Sequence, residues 1–166
     1  MFLTITGASG VGKTTILKEV SKRLSNDPSV KIFHFDDMGM PNWDEVEDTK
    51  KWQEEATIAW IDKLMAIAEK EGAHILFEGS TDMKFFVQGF EKHNFLDYKI
   101  LLFDCSETTM KNRLKHRGQP ELYTKDMIGW LNYLRREAIA KDIEIIKTDE
   151  RSVTEIGTEI IKRIKN

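Results

Sequence analysis

Close to its N-terminus the chain reads Gly7-Ala8-Ser9-Gly10-Val11-Gly12-Lys13-Thr14, followed by Thr15, a complete G-x-x-x-x-G-K-[ST] pattern. Glycines at these positions let the backbone curl until successive N–H groups point at one centre. A helix that begins at the lysine adds its positive end, so the loop closes around phosphate oxygens. Lys13 is then placed to reach the β- and γ-phosphates, and the Thr14 hydroxyl to meet a magnesium ion. Such a loop needs a strand before it and a helix after it. Phe2-Leu3-Thr4-Ile5-Thr6 is strand-like and Lys13 to about Leu24 is helical. A chance glycine turn would not bring that context with it. Residues Gly7 to Thr15 therefore imply a nucleoside triphosphate site.

Downstream, short apolar runs alternate with longer helical ones. Val30 to Phe35, His74-Ile75-Leu76-Phe77, Tyr98 to Phe103 and Ile143-Glu144-Ile145-Ile146 read as four further strands. Trp43 to Glu71 keeps apolar residues at three-to-four spacing and ends at Gly72, which predicts one long helix. Ser106 caps a helix to about His116, Thr124 to Lys141 is helical, and Ser152-Val153-Thr154-Glu155 is a capping box opening the last helix. Strands alternating with helices imply a three-layer α/β/α fold around a five-stranded parallel sheet, with ligands at the carboxyl ends of the strands.

Composition narrows the class. The chain has 166 residues, 40% hydrophobic and 32% charged, which fits a single globular domain over residues 1–166. The 25 Lys+Arg against 28 Asp+Glu leave a formal charge of −3, so no global basic field invites nucleic acid. One cysteine, Cys105, cannot form an internal disulfide and suits a reducing cytoplasm, where the protein is expected. No apolar run approaches a membrane span and no secretory signal is visible. The four histidines lack metal-ligand spacing and read as structural or surface groups. Oligomeric state is not readable.

The residues just after the strands carry the chemistry. Asp36 and Asp37 follow the second strand, where one carboxylate could accept a proton from an acceptor hydroxyl and the other hold magnesium. Glu78 and Asp104 end the third and fourth strands and are further magnesium candidates. The bland alternatives are solvated turns for Asp36 and Asp37, and helix capping for Asp104. Arg113, Arg117, Arg135 and Arg136 bracket the break at Gly118-Gln119-Pro120; guanidiniums closing over a triphosphate would stabilise the charge of phosphoryl transfer. A GTPase is not supported, because no N-K-x-D or T-K-x-D element is present. An AAA-type or transport ATPase is expected to need more chain.

With these residues the chain resembles the nucleotide- and small-molecule-kinase branch of the phosphate-loop fold: adenylate kinase, shikimate and gluconate kinases, and chloramphenicol phosphotransferase. Arg113-Leu114-Lys115-His116-Arg117 is similar to the R-x-x-x-R that opens the lid of that group. The resemblance implies that Arg113 stacks on adenine, that Arg117 reaches phosphate, and that Asp36 or Asp37 activates the acceptor. It also implies a short lid at about 117–124, an acceptor-covering region at about 36–72, and ATP with Mg2+ as cofactors. Thr14 with Glu78 or Asp36 would hold the metal. The Asp-Gly-x-x-Arg of many nucleoside-monophosphate kinases is replaced here by Glu78-Gly79-Ser80-Thr81.

That departure bears on the acceptor. No arginine occurs between Leu24 and Asn112, and from Asp36 to Asp62 nine carboxylates face two lysines, Lys50 and Lys51, a local net of −7. An anionic acceptor would be repelled. The expectation is an ATP/Mg-dependent phosphotransferase acting on a hydroxyl of a small neutral or cationic molecule. Trp43, Trp52 and Trp60 could line its pocket, although helical spacing favours core for the last two. Two alternatives stay open: a nucleoside or nucleoside-monophosphate kinase using Lys50, Lys51 or Lys84, and an ATP-binding regulatory module with no acceptor.

Overall fold

A computed structural model describes residues 1–39 and 41–166; Met40 and the side chain of Trp43 lie outside the described residues. Five parallel strands, β1 (Phe2–Thr6), β2 (Val30–His34), β3 (His74–Glu78), β4 (Tyr98–Asp104) and β5 (Glu144–Lys147), form one sheet in the order β2-β3-β1-β4-β5. The expected three-layer α/β fold with a five-stranded parallel sheet is what the chain adopts. β1 is central and buried on both faces. The crossovers run to one side of it for β2 and β3 and to the other for β4 and β5, so the switch point lies at the end of β1, where Gly7 begins.

Alternation along the strands sorts the core into two halves. Leu3, Ile5, Leu76, Leu101 and Phe103 point to one face and pack under α1 (Lys13–Arg23), α4 (Glu107–His116) and α6 (Val153–Lys165). Phe2, Ile75 and Phe77 point to the other, under α2 (Thr49–Glu71) and α3 (Met83–Lys92). Leu102 meets Leu134 and Ala138 of α5 (Lys125–Ala140) on that same side. Among the described residues no helix is long and apolar enough to cross a membrane.

Three local differences from the sequence reading matter for the site. The helix expected from Trp43 starts at Thr49, because the Asp48 carboxylate accepts from the Lys50 and Lys51 amides and caps it there; Trp43–Glu45 is a separate 3-10 turn. β2 stops at His34, and Phe35–Met38 forms another such turn. The third is α3 itself, which the sequence reading did not predict. Asp82 caps it, and buried Met83, Phe85, Phe86 and Phe90 line its inner face. Its Gly89 allows close packing on α2: a Cβ there would lie 2.5 Å from Ile61 Cδ1.

Candidate active site

At the carboxyl ends of β1, β2, β3 and β5 lies a cavity of about 530 Å³. Of the phosphate-loop residues, Ser9, Gly10, Gly12, Lys13, Thr14 and Thr15 line it. Gly7, Ala8 and Val11 stand behind and act through their carbonyls. Gly7 must be glycine, since a Cβ there would lie 2.6 Å from the Phe103 carbonyl oxygen. Gly12 has φ +102°, the left-handed region that favours glycine, and it starts α1 without a side-chain cap. The first-turn amides of α1 are thereby left to a ligand in the cavity.

The Lys13 ammonium is buried and donates to Gly7 O (2.7 Å), Ala8 O (3.2 Å) and Ser80 Oγ (2.8 Å). Burial pushes its pKa down, and the Glu78 and Asp36 carboxylates oppose that shift. Both carboxylates line the cavity with it. Glu78, 7% exposed, is held by His34, whose Nδ1 lies 2.8 Å from Glu78 Oε1; this hydrogen bond raises the histidine's pKa. His34, read as a structural or surface group, thus orients a carboxylate of the cavity. Asp36 and Asp37 take different places. Asp37 accepts the His34 backbone N–H (3.0 Å) and caps the turn, while Asp36 faces the cavity.

Arg113 and Arg117 also line the cavity, with His116. Arg117 is exposed at the end of α4. Arg113 donates to Val11 O (2.9 Å), Thr148 Oγ1 (2.9 Å) and Thr148 O (2.8 Å), which ties the phosphate loop to the segment after β5. Arg135 serves elsewhere: its Nε donates to both oxygens of fully buried Asp104 (3.0 and 2.9 Å), and Lys147 pairs with the same carboxylate. Asp104 is thus a buried anchor for α5 and β5 and does not line the cavity. Cys105 is buried, as expected, and burial pushes its thiol up to about 11.

A second cavity, of about 600 Å³, adjoins the first and shares Ser9 and Ser80 with it. α3 packs against both α2 and α5, so its first turn forms the floor and those helices the walls. Trp52 and Gln53 come from α2, Lys84 and Phe85 from α3, and Trp130 and Tyr133 from α5. Trp60 is core, as its spacing suggested, with its indole N–H donating to Phe35 O (2.9 Å). Trp43 falls outside the described side chains. Of the nine carboxylates between Asp36 and Asp62, only Asp36 lines either cavity. Asp48 caps α2 and Asp62 pairs with Lys92 (2.6 Å) and His93 (2.7 Å).

The fit to a magnesium nucleotide rests on donor chemistry. Among the described residues no three His, Cys, Asp or Glu side chains converge into a metal cage. Magnesium needs none where substrate phosphates and waters supply most of its oxygens, and Thr14, Glu78 and Asp36 all line the first cavity.

Comparison with known proteins agrees with this geometry. A family model described as an AAA domain matches residues 3–138. The chain belongs to that family. Its length is therefore no bar to an AAA domain, contrary to the expectation from chain size. No curated protein matches the sequence. Solved structures share the fold at low identity. A sugar kinase from Janibacter sp. HTCC2649 superposes with TM-score 0.69 at 15% identity, covering 97% of this chain and 92% of its own. The tunicamycin resistance protein of Deinococcus radiodurans gives TM-score 0.70 at 20% identity, covering 98% and 94%. Deoxyadenosine kinase from M. mycoides, with bound dATP, gives 0.59 at 21% identity over all of both chains. The fold is that of the phosphate-loop kinases.

Proposed function

We propose that the chain is an ATP- and magnesium-dependent phosphotransferase that moves the γ-phosphate to a hydroxyl of a small neutral or cationic molecule. The observation that carries this reading is the meeting of the two cavities at Ser9 and Ser80, beside the Lys13 ammonium. A triphosphate in the first cavity would present its terminal phosphate toward the second, where an acceptor fits.

In this reading the loop amides and Lys13 hold the phosphates. Asp36 takes the proton of the acceptor hydroxyl as its oxygen bonds to the γ-phosphorus and the bond to the β–γ bridging oxygen breaks, releasing ADP. Arg117, exposed at the mouth, neutralises charge on the transferring group, and Arg113 flanks the adenine while bracing the loop. Magnesium, when bound, offsets charge on the β- and γ-oxygens, with Thr14 and Glu78 as its protein partners. A neutral acceptor is supported by the second cavity itself. No arginine lines it, and Lys84 is already 3.3 Å from Asp82. The acidic stretch contributes less than its local charge suggests, since most of it faces away.

Lys50 and Lys84, but not Lys51, line the second cavity, which is the observation favouring a nucleoside-monophosphate kinase. Lys13→Ala should abolish turnover and weaken binding of a non-hydrolysable ATP analogue. Asp36→Asn should spare that binding and remove transfer, whereas Asp37→Asn should leave transfer largely intact. Retained transfer in Asp36→Asn overturns the base assignment, and AMP or UMP as the best acceptor would favour the monophosphate kinase.

A further inference from the structure

Trp130 and Tyr133 stand one helical turn apart on α5 with their rings stacked, centroids 5.4 Å apart and planes within 17°. Both residues of this stacked pair line the second cavity, which Trp52 lines from α2. The polar groups at the floor are already engaged. The Asp82 carboxylate, 4% exposed as a residue, accepts from the Lys84 amide (3.1 Å) and the Tyr133 hydroxyl (2.7 Å), with the Lys84 ammonium at 3.3 Å. The Tyr133–Asp82 bond fixes the tyrosine ring in place, so the stacked pair is formed in advance of any ligand.

Resting on the phosphotransferase reading above, we infer that this cavity takes an acceptor with a flat, uncharged ring, packed against the stacked Trp130–Tyr133 pair, and that these two residues set which acceptors are used. A mostly apolar cavity whose floor carboxylate and ammonium, Asp82 and Lys84, are already paired, with Lys50 as its other cation, rewards a ring that buries its face and needs no counter-charge. A phosphate-bearing acceptor would look for a two-point guanidinium fork, which the cavity does not hold. An acyclic polyol would desolvate its hydroxyls against indole and phenol rings with too few partners to replace water. The signal in the sequence was Trp130 and Tyr133 at i, i+3 in a helix, a spacing indistinguishable from core.

The test uses the whole protein with a non-hydrolysable ATP analogue present. Adenosine, uridine and a nitrophenyl glucoside are compared with AMP and UMP and with sorbitol and gluconate, by ligand-observed NMR and by tryptophan fluorescence. The neutral ring compounds should bind and quench the indole emission. Trp130→Leu, which keeps apolar bulk but removes the flat face, should weaken them about tenfold or more, and Trp130→Phe should restore most of the loss. Equal or tighter binding of sorbitol or gluconate, or of AMP and UMP over their nucleosides, overturns the inference. So does ring binding that leaves both the fluorescence and the Trp130→Leu affinity unchanged. The wild-type preference for the neutral ring compounds over sorbitol, gluconate, AMP and UMP decides the matter even if Trp130→Leu fails to fold. A wild-type protein that does not bind the ATP analogue would instead sink the phosphotransferase reading.

Discussion

Asp104 sits at the end of β4, where an acidic residue can serve either a metal or the fold, and its surroundings decide between the two. Its carboxylate is fully buried and receives Arg135 Nε on both oxygens, the Cys105 amide at 2.8 Å, and Lys147. Removing one partner of a buried, hydrogen-bonded ion pair costs about 3–5 kcal/mol, because the remaining charge is left in low dielectric. Lys147 is 43% exposed and water replaces part of its loss, whereas Arg135 is 25% exposed and depends on the pair more. Asp104→Ala should therefore destabilise by about 3–4 kcal/mol. Asp104→Asn, which keeps one acceptor oxygen, should cost about 2 kcal/mol. At roughly 2–4 °C per kcal/mol for a chain of this size, the alanine variant should melt roughly 10 °C lower. Urea denaturation of both variants, followed by circular dichroism, measures the cost. Isothermal titration with the magnesium complex of the ATP analogue, at a temperature where the asparagine variant is folded, should give unchanged affinity. A loss below about 1 kcal/mol in Asp104→Ala, or a magnesium-dependent loss of nucleotide affinity in Asp104→Asn, would refute the assignment of Asp104 to the fold.

Three further perturbations reach other parts of the structure. Gly12→Ala forces an alanine to φ +102° and sets its Cβ 3.2 Å from Arg113 Nη1, so nucleotide affinity should fall roughly tenfold, as calorimetry would show. Gly89→Ala should bring none of the ~1 kcal/mol that a helix interior normally gains, since its Cβ meets Ile61; combining it with Ile61→Val, which removes Cδ1, should show a favourable coupling of about 1 kcal/mol in a double-mutant cycle. The folded chain keeps the Cys105 proton up to about 11, against 9.0 for an ordinary thiol. Between those values the unfolded chain has lost a proton that the folded chain retains, so stability falls as pH rises through that window; Cys105→Ala should flatten the loss in urea melts.

The phosphate loop and the strand order of chemistry-bearing residues were legible because they depend on local pattern: a glycine-rich turn between a strand and a helix, and acids placed just after apolar runs. What escaped was set by packing at a distance. α3 went unread, and its Gly89, a poor residue for a helix interior, is explained only by the close approach of Ile61. Glu78 was legible as an acid, but its histidine partner was not, since His34 reaches it only through the pairing of β2 with β3. The acidic stretch from Asp36 to Asp62 carried a sign in sequence but no direction. Capping by Asp48 and the pairing of Asp62 with Lys92 and His93 turn much of that charge away from the cavities. Conversely, Trp130 and Tyr133, which the sequence reading did not single out within the Thr124 to Lys141 helix, line the second cavity.

The most direct test is acceptor-stimulated turnover. Purified protein is incubated with magnesium and γ-labelled ATP and a panel of nucleosides, sugars and aminoglycosides, and label transfer to each compound is followed alongside ATP hydrolysis. A phosphotransferase built on these two cavities should transfer label to at least one neutral or cationic hydroxyl compound, and both Lys13→Ala and Asp36→Asn should abolish that transfer. Slow hydrolysis that no compound stimulates across the panel, with label going only to water, would contradict it.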